Sequence, residues 1–196
     1  MHFKSIYIIV ALATIFCSCN STYTPKPRGY FAIPLPEKKY TTFTQAGYPY
    51  SFEYPTYAKV EKDSLFFGEK TENEWWINIS FQQFDAKLHI SYKELAKNNL
   101  NKLVEDAFKM AQKHSVKASA INEELVHTAN NVHGVVFTVG GDVATENQFF
   151  LTDSSKHFLR GALYFNATPN ADSILPIQKF LVTDVKHMIN TLRWRN

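Results

Sequence analysis

Between residues 120 and 166 the chain carries four strand-like runs in succession: "AINEELVHT", "GVVFTVGG", "NQFFLT" and "HFLRGALYFN". Each is rich in β-branched or aromatic residues. Turn residues separate them: Asn130-Asn131, then Gly140-Gly141-Asp142, then Asp153-Ser154-Ser155-Lys156. Connections this short join neighbouring strands antiparallel, because a parallel crossover needs a dozen residues or more. The last run is apolar on both faces. Leu159, Leu163 and Phe165 fall on one, and Phe158, Ala162 and Tyr164 on the other. A strand of that kind belongs in the middle of a sheet that is covered on both sides.

The rest of the chain supplies the cover. "WWINISF" puts Trp75, Ile77, Ile79 and Phe81 opposite Trp76, Asn78 and Ser80, and "KLHIS" puts Leu88 and Ile90 opposite Lys87 and His89. Both alternate as half-buried strands do. "SFEYPTYAKVEKDSLFF" reads as shorter strand pieces, with Pro55 confining the first to an edge. Ser91 and Glu94 have the spacing of a helical capping box. Ala96, Leu100, Leu103, Val104, Ala107, Phe108 and Ala111 follow at helical spacing, so a helix is expected over about 92–113. A second helix is expected over about 176–192, with Pro176 in its first turn and Asp172 or Ser173 as caps. Its stripe is Ile177, Leu181, Val185, Met188, Ile189 and Leu192, over which Trp194 closes. The expected fold class is α+β. An antiparallel sheet of about six strands carries two main packed helices, and an α/β/α sandwich results if they lie on opposite faces.

The N-terminus reads differently. Lys4 precedes an uncharged apolar run from Ile6 to Phe16. That is the length of a signal-peptide core, about 7–15 residues, and short of the roughly 20 that span a bilayer. Cys17 and Cys19 close the run and are the chain's only cysteines. Bacterial lipoprotein signals end in a small residue followed by the cysteine that takes the lipid. Cys19 follows Ser18, whereas Cys17 follows the bulky Phe16, so Cys19 is the expected acceptor. Residues 1–18 are then the signal, and a single acylated cysteine rules out a disulfide framework. The residues just after Cys19 are neutral, which favours a periplasm-facing site. Residues 19–50 form a lipidated tether and an extended arm, marked by Pro25, Pro27, Pro34, Pro36 and Pro49. Residues 51–196 form one globular domain.

Composition excludes some functions. A net charge of +3 with scattered basic residues leaves no nucleic-acid footprint. The seven histidines show neither H-x-H nor H-E-x-x-H spacing, so no zinc site is implied, and no other cofactor is. Asp153, Ser154 and His157 have the letters of a nucleophile–base–acid set. Residues so close on one hairpin rarely converge in triad geometry. "GGD" at 140–142 is too short to cradle a phosphate, and no helix follows it.

Arg160 is the residue that stands out. It lies mid-strand among large apolar residues, where a charge needs a partner. Glu146, Asp153 or a helix carboxylate could pair with it structurally. The functional alternative is a guanidinium at a recessed site for a carboxylate or phosphate. Two D-S-apolar triplets, at Ser64 and Ser173, resemble the O-glycosylation site of exported Bacteroidota proteins.

The expected acyl site Cys19, the arm "YTPKPRGYFAIPLPEKKY" with Arg28 and Tyr30, the segment "PYSFEYPTYA" and above all "QFFLTDSSKHFLRGALYFNATPNADSILP" resemble the GldD family of gliding-motility lipoproteins. The likeness spans nearly the whole mature chain. Ala32 departs from it where a basic residue is expected. The resemblance implies an envelope protein needed for gliding and linked to type IX secretion, with no catalytic residues to carry over. The order of strands and helices is also similar to the PsbP/Mog1 sandwich. Two functions are open. In the first, a lipoprotein is anchored in the bilayer through Cys19 and works by contacts with other gliding or secretion proteins of the envelope. Its candidate contact residues are Arg28, Tyr30, Asp153 and Arg160. In the second, a periplasmic domain binds or hydrolyses a small molecule or glycan, using Arg160, Asp153 and Trp75 or Trp76.

Overall fold

The computed structural model describes residues 33–63, 65–66, 69–113, 118–141, 147–166 and 171–195. The chain divides into a unit of residues Met1–Ile33 and a unit of Pro34–Asn196, and every strand and helix named below belongs to the second. Its strands are β1 (Tyr40–Phe43), β2 (Tyr50–Pro55), β3 (Lys59–Lys62), β4 (Leu65–Phe66), β5 (Glu69–Lys70), β6 (Ile77–Phe81) and β7 (Ala86–Glu94). Helix α1 (Leu100–Gln112) comes next, then β8 (Ala118–Thr128), β9 (Val132–Gly141), β10 (Asn147–Thr152) and β11 (His157–Phe165). Helix α2 (Ala171–Thr191) and β12 (Arg193–Trp194) complete it.

Seven strands form the main sheet in the order β3-β6-β7-β11-β10-β9-β8. Every neighbouring pair is antiparallel. The sheet is one strand wider than the sequence implied, and β11 lies at its centre as expected. β1-β2-β12 form a separate three-stranded sheet. β2 is therefore a middle strand rather than an edge. Pro55 is tolerated because β12 pairs only with Tyr50 and Ser51, so the proline end of β2 meets no strand on that side.

The two helices lie on opposite faces, and each closes its own core. On one face Leu181, Val185, Met188, Ile189 and Leu192 pack with Ile77, Ile79, Leu88, Ile90, Leu151, Leu159 and Leu163, together with Tyr50 and Phe52 of the small sheet. On the other, Leu100, Leu103, Val104, Ala107, Phe108 and Ala111 pack on Val135, Phe137, Phe150 and Phe158. This is an α+β sandwich. Trp194 packs against the first core, stacked on the His157 ring with centroids 5.0 Å apart.

Both helix starts differ from the expected ones. Ser91 and Glu94 cap nothing; they belong to β7, which pairs with β11 through the register His157↔Glu94. Tyr92 continues the alternation of Leu88 and Ile90 into the core, and that burial outweighs the capping letters. The cap is Asn99, whose side chain accepts from the Lys102 amide at 3.1 Å. At the other end α2 begins at Ala171, so Pro176 sits inside the helix instead of opening it.

Residues 34–43 are tied to α2. Lys38 Nζ reaches Asp184 Oδ1 at 2.6 Å and the Phe180 carbonyl at 2.7 Å, and lies 3.6 Å from the Phe180 ring centroid. Tyr40 donates to the same carboxylate oxygen at 2.9 Å and stacks on His187. Tyr57 donates to Asp184 Oδ2. A carboxylate with 1% side-chain exposure is thus held by one ammonium and two phenols.

Candidate functional site: a polar cleft on the α1 face of the sheet

Antiparallel pairing sets rows of side chains across the sheet face that α1 covers only in part. One row reads Glu61, Asn78, His89, Ala162, Gln148 from β3 to β10. Beside it run Ser91 and Arg160 on one side and Ser80, Lys87 and Tyr164 on the other. Ala162 is a small apolar residue in this polar field. The cleft encloses about 830 Å³, with Asp63, Gln82, Asp85 and Asn166 completing its rim. A second cavity of about 150 Å³ extends under α1, between Trp76, Leu103, Asp106 and Phe158. Arg160, His89 and Asp63 border both.

Arg160 lies where the two cavities meet. Its Nη2 donates to Gln148 Oε1 at 2.6 Å. Among the described residues no carboxylate lies within ion-pair distance of it. The structural pairing considered from sequence is therefore absent for Asp153, and Glu146 lies outside the described residues. Removal from water pushes the Arg160 pKa down, and the nearby Tyr164 phenol opposes this. Burial also holds the His89 imidazole below its ordinary value; Asp63 opposes that and Lys87 adds to it. Its ring meets Tyr164 edge-on at 5.5 Å. Among the described residues, His89 Nδ1 and Asn78 Oδ1 are occluded without a hydrogen-bond partner, as is Gln148 Nε2 beside Arg160. Lys87 likewise has no carboxylate partner among the described residues. Glu61 accepts from Ser80 Oγ at 3.0 Å.

Asp153 does something else. Its Oδ1 accepts from the amides of Ser155, Lys156 and His157 at 3.0, 2.8 and 2.9 Å, and its Oδ2 accepts from Ser155 Oγ. Burial pushes its pKa up, but these donors outweigh burial and hold it at about 2. It staples the β10–β11 turn, in which Ser154 adopts a left-handed φ of 63°. His157 points the other way, its Nδ1 2.6 Å from the Tyr92 hydroxyl. The three letters of a triad do not converge. Trp75 packs edge-on against Tyr92 in the core. Trp76 donates its indole N–H to the Tyr92 carbonyl at 3.0 Å and lines the smaller cavity.

Cys19, Arg28, Tyr30 and Ser64 lie outside the described residues, and so does the side chain of Ser173, whose backbone is in the first turn of α2. Lys87, His89 and Asn78 were not singled out from sequence. The signal for them was present: two neighbouring strands each turn a polar face away from an apolar one. No group of three or more His, Cys, Asp or Glu residues gathers to hold a metal among the described residues. No described helix is long and apolar enough to cross a membrane. Chemically, the cleft can recognise a charged polar group.

A comparison with curated protein sequences returns no match. Among solved structures the chain is similar to the solution structure of cyanobacterial PsbP (CyanoP) from Synechocystis sp. PCC 6803, at 10% identity and a TM-score of 0.47. The likeness covers 84% of this chain and 98% of that one. Residues 20–194 match the family described as gliding motility lipoprotein GldD, and the chain belongs to that family.

Proposed function

We propose that this protein is a membrane-anchored envelope lipoprotein that serves gliding motility, in work linked to type IX secretion, by contacts that assemble or stabilise the apparatus. The family match over residues 20–194 supports the role in gliding motility. The bilayer holds the protein through acyl chains on Cys19. Each buried CH₂ contributes about 0.8 kcal/mol, so two or three chains anchor it stably. The domain faces the periplasm, and its partners are other gliding or secretion proteins of the envelope, not nucleic acid. The attachment of residues 34–43 to α2 supports a mechanical role, since a pull on the N-terminal segment would reach the helix through Lys38 and Asp184.

The test is made in cells. Cys19→Ala should release the protein from the membrane fraction and abolish spreading by gliding. Full retention and full gliding in this variant would overturn the anchoring. In-cell crosslinking of the tagged wild-type protein should recover motor or secretion-channel components; recovery of none from a folded, membrane-bound protein would overturn the contact role.

A further inference from the structure

The cleft above Ala162 has a chemistry that membership of the family does not explain. Two cations, Arg160 and Lys87, reach toward it from neighbouring strands of one sheet face, and neither has a carboxylate partner among the described residues. A half-buried charge left unpaired is unfavourable unless something else meets it. Arg160 is not loose: Gln148 Oε1 holds one end of its guanidinium at 2.6 Å, which leaves the other N–H groups for a planar acceptor. The wall beside it adds a half-buried imidazole and an amide whose occluded atoms, His89 Nδ1 and Asn78 Oδ1, lack partners among the described residues. The lining also includes Glu61, Asp63 and Asp85, which accept hydrogen bonds and repel negative charge. A volume of about 830 Å³ is within the range of small-molecule sites.

We propose that this cleft is a binding site for a small monoanionic carboxylate whose remaining groups are hydrogen-bond donors. The carboxylate lies over Ala162, paired with the Arg160 guanidinium and within the field of Lys87. The hydroxyl or amide hydrogens of the ligand face Glu61, Asp63 and Asp85. Three carboxylates on the rim select against a dianion such as phosphate, because like charges at short range are strongly unfavourable in a recessed site. Two cations without such a rim would take phosphate as well. A guanidinium also presents a fork that matches a carboxylate's two oxygens, which a lone ammonium does not.

The full-length lipidated protein in detergent micelles tests this by thermal shift and titration calorimetry. Glucuronate supplies a carboxylate with hydroxyl donors, and N-acetyl-alanyl-alanine supplies one with amide donors. Glucose, the carboxamide of the same peptide, and inorganic phosphate are the counter-probes. The expected result is a saturable shift with one of the two carboxylates, and the arm that binds identifies the source. The neutral analogues and phosphate should give none. Arg160→Gln should weaken binding at least tenfold, and Lys87→Gln about threefold. Lys87 is in part exposed at the cleft edge, so its variant keeps the test open should Arg160→Gln fail to fold. No shift with either carboxylate at millimolar concentration would overturn the assignment. So would tighter binding of phosphate, or carboxylate binding that neither variant changes.

Discussion

Replacing Asp184 should loosen the N-terminal segment from the domain, and the size of the effect can be worked from its contacts. Its carboxylate accepts from Lys38 at 2.6 Å, from Tyr40 at 2.9 Å and from Tyr57. Its side chain is 1% exposed, against 28% for that of Lys38. Asp184→Ala leaves two phenols and an ammonium without their acceptor. Each stranded phenol loses about 1 kcal/mol, and the broken pair adds roughly 1–3, because Lys38 is in part wet and keeps the Phe180 carbonyl. The expected loss is about 3–5 kcal/mol, the range for breaking a buried pair. Asp184→Asn keeps the shape and one acceptor, and should lose roughly 2 kcal/mol.

Urea unfolding gives these values from the shift in midpoint at constant slope. Lys38→Met keeps an apolar stem on Phe180, and its double-mutant cycle with Asp184→Asn should show a coupling of about 1–2 kcal/mol. Exchange of the β1 amides, or cleavage at Lys38 and Lys39 by trypsin, should accelerate in the Asp184 variants before the main sheet is affected. There is a pH signature as well. Burial first, then the bond to Asp184 and its charge, raise the Tyr40 pKa from 10.0 to about 12. A raised folded pKa means that this stability is fully present below the unfolded value, near 10, and is lost as pH climbs toward 12. Asp184→Asn should flatten that alkaline loss. If Asp184→Asn lies within about 0.5 kcal/mol of wild type and β1 exchange is unchanged, the carboxylate does not hold the segment.

Asp153, held at about 2 in the fold, contributes stability that is present above its unfolded value of 3.8 and lost as pH falls toward 2; Asp153→Asn should flatten the acid limb of stability over that window. Burial keeps the His157 pKa below its ordinary 6.5, so its stability is present above that value and falls as pH drops beneath it; His157→Phe should remove this part of the slope in unfolding measured from pH 7 to 5. A Cβ on Gly134 would lie 1.9 Å from the Phe150 carbonyl oxygen, which the sheet cannot move, so Gly134→Ala should lose more than about 3 kcal/mol and yield little folded protein. A Cβ on Gly161 would meet the Phe149 ring, which can turn; Gly161→Ala should lose about 1–3 kcal/mol by the same urea assay.

The letters that made β8 to β11 legible are local. Their turns are short, and Asn131 at φ 57° and Ser154 at φ 63° occupy the left-handed positions that such turns need. The start of α1 was not legible for an equally local reason: Ser91 and Glu94 are good helix-start residues that also fit a strand. The choice between them was made by β11, far along the chain, which pairs with β7 from Ala86 to Glu94. The site behaved the same way. A charge between Leu159 and Gly161 marks Arg160 in the sequence itself. What faces it could not be read there, because His89 and Lys87 reach the cleft only through that long-range pairing. Asp153, seven residues before Arg160, was the nearer candidate partner, but three backbone amides of its own turn claim it.

The division of the α1 face follows from size. Seven strands at about 4.8 Å spacing make a sheet nearly 30 Å wide. The 13 residues of α1 make a rod about 20 Å long and about 10 Å thick, enough to cover two or three strands. It lies on β9, β10 and the Phe158 end of β11, and there the face is apolar. The other face has the 21 residues of α2 and a second sheet to cover it, and it is apolar from β6 to β9. Away from the apolar patch under α1 the face turns polar, and that is where Glu61, Asn78, Ser80, Lys87 and His89 stand. Arg160 marks the border. Its strand neighbour Phe158 is under the helix, while its guanidinium lines the cleft. A leucine there would serve the helix side as well, so packing alone does not call for a charge at this position; the carboxylate site proposed for the cleft does.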